Sequence, residues 1–356
     1  MRKYVRFLET ISVVSLVAIF LFGFTGAGET IQVCKIGCEF DSVARAIKAA
    51  GSGDTIKVQN GRYTEDLKID KDLTIVGTNS RWVDLESLEN NSPAIVVGPS
   101  PVTVELKNLT VNPGDAPGDT GIRLTGDASL TLANSRLSGG QLGVLIENSS
   151  YLKFRGVELN GPNRGLVARH NSRVTVFGSS VSSARVGLVA EDSSELNIIE
   201  TEVTGCRNNS VIARNSAKVN LLESDVSNNS APGVELKDFS RLNATATQIS
   251  NNKGGGILLS NSAQADLKKN RITYNVNKNV AVTSKECGFS GPMEGFYGEV
   301  KGYQNEILPQ SGTICPEKFS RITTAKGGTS SYPFTPSTYA FLGLIGAATI
   351  IFLVTG

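Results

Sequence analysis

Two neighbouring stretches carry the same pattern of residues: GVLIENSSYLKFRGVELN (residues 143–160) and GLVARHNSRVTVFGSSVS (residues 165–182). Both begin with a glycine that recurs at steps of 22 or 23 residues, and three apolar positions recur with it. The glycine column is Gly121, Gly143, Gly165, Gly187, Ser210, Gly233 and Gly256. The apolar columns are Leu130, Leu152, Val174, Leu196, Val219, Leu242, Ala265; Leu132, Phe154, Val176, Ile198, Leu221, Ala244, Leu267; and Leu137, Leu159, Val181, Val203, Val226, Ile249, Ile272. Seven repeats in register across four columns indicate a repeat protein.

The apolar residues of each repeat alternate with polar ones, and short segments of this kind are separated by Asn, Ser and Gly. Alternation with period two predicts strands that turn one face inward. We therefore predict an all-β fold, a single-stranded right-handed parallel β-helix of about 9–10 coils of 22–23 residues over residues 54–285. A leucine-rich repeat would carry an asparagine motif that is missing, and a β-sandwich would not keep its columns through seven repeats.

Both ends of such a helix need a cover, because an open sheet edge is a template for unwanted pairing. FDSVARAIKAA, within a predicted N-terminal cap at residues 29–53, suits a short amphipathic helix that begins after Asp41 or Ser42. The predicted C-terminal cap is the cysteine-bracketed segment 286–317, which supplies aromatic residues that the repeats lack.

The two ends of the chain indicate export and tethering to a membrane. Residues 1–28 combine a basic start, an apolar run and small residues, which predicts a signal peptide or, as an alternative, an uncleaved anchor. After a linker at 318–337, the uncharged segment 338–354 predicts a transmembrane anchor, with a buried helix or a glycolipid-anchor signal as alternatives. We expect a periplasmic or cell-surface protein whose C-terminal helix lies in the membrane.

The charge balance and the cysteines narrow the possible partners. Thirty-five basic and 33 acidic residues leave a formal charge of +2, which argues against nucleic acid as a partner. We predict that Cys34 and Cys38, and Cys287 and Cys315, form disulfides in an oxidising compartment, and we assign Cys206 no partner. No cysteine spacing suits a metal, so we predict neither a metal site nor a cofactor.

Six N-x-S/T sequons are candidate glycosylation sites in an exported protein. Asn-Ser pairs are also ordinary corner residues of a coil, so both interpretations stay open. The sequons begin at Asn90, Asn108, Asn148, Asn208, Asn228 and Asn243.

The entry segment FDSVARAIKAAGSGDTIKVQNGRYTEDLKIDKDLTIVG (residues 40–77) resembles that of right-handed parallel β-helix proteins of the pectin-lyase-like superfamily, especially the NosD-like periplasmic group. The resemblance covers about residues 33–285 and implies the fold more than an activity, since the superfamily mixes lyases, hydrolases, epimerases and non-enzymatic proteins. NosD-like proteins are linked to maturation of a copper enzyme. With one His and two Met, this chain is poor in copper ligands.

Strand alternation places two further columns on the outside of the coils. The charged column contains Glu147, Arg169, Glu191 and Arg214. As catalytic candidates, Glu147 and Glu191 would lie two coils apart, about 10 Å, near the separation of an inverting glycosidase's two carboxyl groups. Alternating charges on stacked strands equally suit simple cross-strand pairing.

The second outward column is apolar and is a candidate binding strip, unless a loop covers it. Its members are Leu145, Val167, Val189 and Ile212. His170 shares a corner position with turn residues, so we assign it a structural role. Together these features favour a non-catalytic, membrane-tethered surface for glycans or proteins. The alternatives are a polysaccharide lyase or glycoside hydrolase, and a NosD-like accessory protein of a metal enzyme.

Overall fold

The computed structural model describes residues 28–114, 116–288, 296–309 and 313–323. Its 34 strands form three parallel sheets, and each coil of the chain contributes one strand to sheet A, then B, then C. Sheet A contains β1 Thr30–Val33, β2 Asp54–Val58, β5 Leu73–Gly77, β8 Thr103–Lys107, β11 Ser129–Ala133, β14 Tyr151–Arg155, β17 Arg173–Phe177, β20 Glu195–Ile199, β23 Lys218–Leu222, β26 Arg241–Thr245, β29 Gln264–Lys268 and β32 Glu299–Tyr303. Sheet B contains β3 Gly61–Thr64, β6 Val83–Glu86, β9 Thr110–Asn112, β12 Arg136–Ser138, β15 Glu158–Asn160, β18 Ser180–Ser182, β21 Glu202–Thr204, β24 Asp225–Ser227, β27 Gln248–Ser250, β30 Arg271–Thr273 and β33 Glu306–Leu308. Sheet C contains β4 Leu67–Ile69, β7 Pro93–Val97, β10 Thr120–Leu124, β13 Leu142–Ile146, β16 Arg164–Ala168, β19 Val186–Ala190, β22 Val211–Ala213, β25 Val234–Leu236, β28 Ile257–Leu259, β31 Val280–Val282 and β34 Ile314–Cys315.

The register of the sheets is the register of the sequence repeat. Leu152 is the partner of Val174 in sheet A, and Leu159 is the partner of Val181 in sheet B. The side chains of these columns fill the interior, where Leu152, Val174 and Val181 have no exposed surface. The predicted parallel β-helix, with its aliphatic columns stacked along the axis, is confirmed.

The predicted number of coils was too low. The sheets contain 12, 11 and 11 strands, which corresponds to about 11 turns rather than 9–10. Strand β1 adds a rung before the segment we counted, because Thr30 pairs with Thr55. Strand β32 adds another after a long insertion: Gln264 pairs with Glu299, a step of 35 residues (299 − 264) that no 22–23-residue repeat reveals.

A seven-residue helix, α1 (Val43–Ala49), lies against strands β1, β2 and β4. It begins at the N-cap Ser42, whose hydroxyl accepts a hydrogen bond from the N–H of Arg45 and donates one to Glu65. Glu65 also accepts from the N–H groups of Val43 and Ala44, so one carboxylate from the coil holds the first turn of the helix. In the part of the chain that the structure describes, the remaining helices are two 3₁₀ segments, Lys285–Cys287 and Glu317–Ile322.

Both predicted disulfides are formed, Cys34–Cys38 and Cys287–Cys315, while Cys206 is a buried free thiol. The predicted signal segment, except for its last residue, and the whole segment 338–354 lie outside the described residues. Over the ranges that the structure describes, no helix is both long and apolar enough to cross a membrane.

Buried amides link the coils at the corner between sheets B and C. Asn229, Asn252, Asn275 and Asn279 are stacked, and the side-chain amide of each of the first three donates to the side-chain oxygen of the next at 2.8–2.9 Å. Their neighbours Asn228 and Asn251 adopt positive φ, 58° and 55°, which Asn tolerates better than most residues. The second Asn of each pair therefore belongs to the buried stack that links the coils.

Candidate functional site

The charged column on sheet C is a ladder of ion pairs. Glu191 accepts from Arg169 Nε at 2.9 Å and from Arg214 Nη2 at 3.0 Å, and its side chain is only 14% exposed. Glu147 pairs with Arg123 at 3.0 Å and is 15% exposed. The structure thus brings Arg169 and Arg214 to Glu191 from the two adjacent coils, and gives Glu147 a different partner. Half-buried pairs of this kind link neighbouring strands, and both carboxylates already hold a guanidinium.

The apolar column beside this ladder forms a small outer cluster of its own. Val167, Val189 and Ile212 are buried although they lie on the outer side of sheet C, with exposed fractions of 0, 2 and 8%. Leu145 is half-buried at one end, and on the other side the next residue in register is Glu235. The cluster therefore offers a ligand little apolar surface.

His170 occupies the corner between sheets C and A with a positive φ of 58°. Its ring Nδ1 accepts from the backbone N–H of Asn148 at 3.2 Å, and its backbone N–H donates to the carboxylate of Asp192 at 3.0 Å. The pKa of Asp192 lies below its ordinary value, first because of this backbone hydrogen bond. These contacts join three coils and agree with the structural role predicted for His170.

The outward face of sheet A is a feature that the sequence analysis missed. On the adjacent strands β14 and β17, six outward side chains form one cluster, which we call the basic–aromatic cluster. Its members are Tyr151, Lys153, Arg155, Arg173, Thr175 and Phe177. Tyr151 and Phe177 are each 37% exposed, and the tyrosine hydroxyl is 3.4 Å from Thr175 Oγ1.

The cations of this cluster are not neutralised by neighbouring carboxylates. In the ranges that the structure describes, none of Lys153, Arg155 and Arg173 takes part in an ion pair. The rungs towards both ends of the same sheet differ, because their lysines pair with acids two residues away at 2.7–2.9 Å. These pairs are Lys107–Glu105, Lys268–Asp266 and Lys301–Glu299.

An amide ladder continues the central column of the cluster along the face. Thr175 is followed in register by Asn197, Asn220 and Asn243. Asn220 donates to Asn197 at 2.7 Å and Asn243 donates to Asn220 at 2.8 Å. The ladder presents oriented hydrogen-bonding groups, and beside it Leu222 is 37% exposed. A flat surface with rings, amides and cations can stack on and hydrogen-bond to a polar chain.

A signal for this face was present in the sequence. Its residues occupy the positions between the inward columns, for example Lys153 between Leu152 and Phe154. Alternation marks such positions as outward. Whether an outward polar residue is paired or free for a ligand depends on its neighbours on adjacent coils, which alternation does not reveal.

The structure places the remaining candidates as follows. Asn108 is half-buried, whereas the other five sequon asparagines are exposed, so glycosylation stays a prediction.

Among the residues described, no three His, Cys, Asp or Glu side chains lie close enough to hold a metal ion. A cavity of about 500 Å³ lies at the C-terminal end of sheet C, lined by Gly254, Gly255, Ile257, Leu258, Asn277, Lys278, Ala281, Cys287 and Gly288.

The stacked coils and the continuous outer faces define a parallel β-helix protein. A family model described as right handed beta helix region matches residues 93–208 and 142–290, which together cover more than half of the 356 residues. The chain belongs to this family. No curated protein sequence matches the chain.

Solved structures share the fold at low sequence identity. The Dettilon tailspike protein is 10% identical, with 75% of this chain and 57% of that chain covered and a TM-score of 0.57. ORF18 of Geobacillus virus E2 is 11% identical, with 85% and 65% covered and a TM-score of 0.52. Pectate lyase Pel9A is 11% identical, with 80% and 78% covered and a TM-score of 0.46. The chain spans less than two thirds of the first two proteins, and the likeness to these two shows the parallel β-helix fold alone.

Proposed function

We propose that the protein is an exported, membrane-tethered β-helix that binds glycans on the outward face of sheet A and does not catalyse a reaction. The observation that carries this proposal is the exposed face itself. Tyr151 and Phe177 leave ring surface open beside the amide ladder of Asn197, Asn220 and Asn243. Sugar rings offer apolar faces and hydroxyl groups, and aromatic rings and amides are the matching protein groups.

The tethering fits the direction of the chain. The helix α1 would close the N-terminal end of the solenoid, and the segment 338–354 would hold the C-terminal end at a membrane. The two disulfides suit an oxidising compartment outside the cytoplasm. In this arrangement the coils extend from the membrane and keep sheet A accessible along its length.

The test is retention on a glycan panel. Purified full-length protein is passed over immobilised neutral and acidic polysaccharides, together with the double variant Tyr151→Ala/Phe177→Ala. We expect the wild type to be retained by at least one glycan and the double variant to lose most of that retention. Trp82→Ala/Tyr274→Ala is the matched control, because these rings are 64% and 59% exposed on other parts of the molecule. Equal retention of both double variants would contradict the proposal.

A carbohydrate lyase or hydrolase is the second candidate, favoured by one observation. Glu147 and Glu191 lie on one outer column, with Arg169 on the coil between them, a composition that suits acid–base chemistry on a polysaccharide. If this candidate is right, the full-length protein releases unsaturated or reducing ends from a polysaccharide, and Glu191→Gln abolishes the release. We expect no release from either protein, and turnover that depends on Glu191 would reverse our preference.

A further inference from the structure

We infer that the basic–aromatic cluster binds an anionic polysaccharide, a chain whose sugars carry carboxylate or sulfate groups. This inference rests on the proposed glycan-binding function and adds to it the chemical class of the ligand. Its basis is the position of three cations among two rings on strands β14 and β17.

Each arginine of the cluster lies beside an aromatic ring on the neighbouring coil. Tyr151 is in register with Arg173, and Arg155 is in register with Phe177, at opposite edges of the face. Adjacent strands are about 4.8 Å apart, so one sugar can contact a ring and a guanidinium together. A guanidinium binds carboxylate or sulfate oxygens through two parallel hydrogen bonds, while the ring covers the apolar face of the sugar.

Lys153 lies in the centre of this pattern. Its neighbours in register are Thr131 and Thr175, whose hydroxyls can bind a ligand without neutralising the lysine. In the register of the two strands, Lys153 lies between Arg155 and Arg173, so its ammonium group can contact a second acidic group of the same polysaccharide.

The charge of the cluster is local, and none of its three cations forms an ion pair in the described part of the chain. The nearest acid on the adjacent strand is Glu195, which is in register with Arg173 but pairs with Lys218 at 3.4 Å and accepts from Asn220 at 3.1 Å. At the other edge, strands β14 and β17 are followed by Gly156 and Gly178, which add no charge. Three positive charges thus lie together with no ion-pair partner among the described residues. In the charged column of sheet C, by contrast, Glu147 holds Arg123, Glu191 holds Arg169 and Arg214, and Glu235 holds Lys237.

The distribution of charge favours an acidic glycan over nucleic acid or an anionic membrane. A nucleic-acid or membrane surface is matched by a broad basic face, and the whole chain carries a formal charge of only +2. Here the basic patch occupies two rungs and continues into the neutral amide ladder of Asn197, Asn220 and Asn243. Charged groups at one end and hydroxyl-binding amides along the rest suit a polyhydroxylated chain with acidic groups.

The experiment compares two triple variants of equal charge change in the full-length protein. Lys153→Gln/Arg155→Gln/Arg173→Gln removes the cations of the cluster. Arg164→Gln/Arg207→Gln/Lys253→Gln removes three exposed cations elsewhere, none of them in an ion pair within the described part of the chain. Binding to sodium polygalacturonate, chondroitin sulfate, neutral dextran and phosphatidylserine vesicles is measured at low and high salt, and circular dichroism checks that each variant is folded.

We expect the wild type to prefer an acidic polysaccharide, with affinity that falls as salt screens the charges. The cluster variant should bind about tenfold more weakly or worse, and the control variant should bind like the wild type. Equal weakening in both variants, a preference for dextran, or retention by the vesicles alone would overturn the inference. Binding to dextran without charge dependence would overturn the anionic ligand and leave glycan binding intact, whereas no binding to any polysaccharide would overturn both.

Discussion

Replacing Asn252 with Ala is expected to destabilise the protein strongly, because this residue is the centre of the buried amide ladder. Its Oδ1 accepts from the backbone N–H of Asn229 at 3.2 Å and from the side-chain amide of Asn229 at 2.8 Å. Its own amide donates to Val226 O and to Asn275 Oδ1, both at 2.9 Å. Asn252 and Asn229 are 0% and 1% exposed, so water does not replace these partners.

The magnitude follows from the groups left without a partner. The alanine removes the acceptor of two buried donors, the N–H of Asn229 and one hydrogen of its side-chain amide. A buried donor left unsatisfied costs about 1–3 kcal/mol, so we expect the free energy of unfolding to fall by about 3 kcal/mol. A cavity of amide size adds to the loss in the same direction.

The matched control is Asn220→Ala, which interrupts the amide ladder on the outside of sheet A. Asn220 accepts from Asn243 at 2.8 Å and donates to Asn197 at 2.7 Å, but this ladder faces solvent. Water can bind the Asn197 and Asn243 groups that lose their partner, so we expect the free energy of unfolding to fall by less than about 1 kcal/mol. Urea unfolding followed by circular dichroism compares the two variants. Equal losses would refute the reasoning, because burial would then not decide the cost of breaking a ladder.

Three further predictions concern buried groups. Burial raises the pKa of Asp225 above the ordinary 3.8, so the folded state retains a proton that the unfolded state loses, and stability falls as pH rises through that window. Asp225→Asn should therefore raise the free energy of unfolding at about pH 7 and have little effect at about pH 3. Burial raises the pKa of Cys206 to about 11, so iodoacetamide should label this thiol in urea but not in the folded protein, as mass spectrometry will show. Gly165→Ala would drive a Cβ into the carbonyl oxygen of Gly187 on the next coil, and should cost about 2 kcal/mol or more in urea unfolding.

Each of these predictions has a result that would contradict it. A gain from Asp225→Asn that is as large in acid as at neutral pH would exclude a protonation effect. Rapid labelling of native Cys206 would mean that the thiol is accessible. For Gly165, the control is Ser210→Ala: Ser210 occupies the same column and already has a Cβ, so we expect little change. Equal costs at the two positions would show that the clash is not the cause.

The sequence was most informative where one residue type is required in every coil. The aliphatic columns were predictable, because a stacked interior leaves little choice of residue. The two disulfide pairs were predictable for a different reason: an exported chain keeps its cysteines in an oxidising compartment. The number of coils was underestimated where the repeat is irregular. Strand β32 follows an insertion, and its inward positions are Val300 and Gly302, a pair that carries little apolar signal.

The candidate site was predictable only in part. Alternation correctly placed Glu191 and Val167 on the outer side of sheet C, but whether an outward residue is free depends on the coils above and below it. Arg169 and Arg214 close on Glu191, and Val167 is buried by its neighbours. Arg155 and Arg173 are outward-facing arginines like Arg169 and Arg214, yet no acid pairs with them in the region described.

The sequence by itself determined that the chain winds into stacked coils, because period-two alternation and a 22–23-residue repeat allow one continuous interior and no other packing of these columns. It also determined which side chains point outward. Only the tertiary structure decided which of those side chains pair with each other and which face solvent, since ion pairs and shielding form between residues 22 or more positions apart. For this reason Glu147 and Glu191 are engaged in ion pairs, whereas Lys153, Arg155 and Arg173 are not paired with an acid in the described residues.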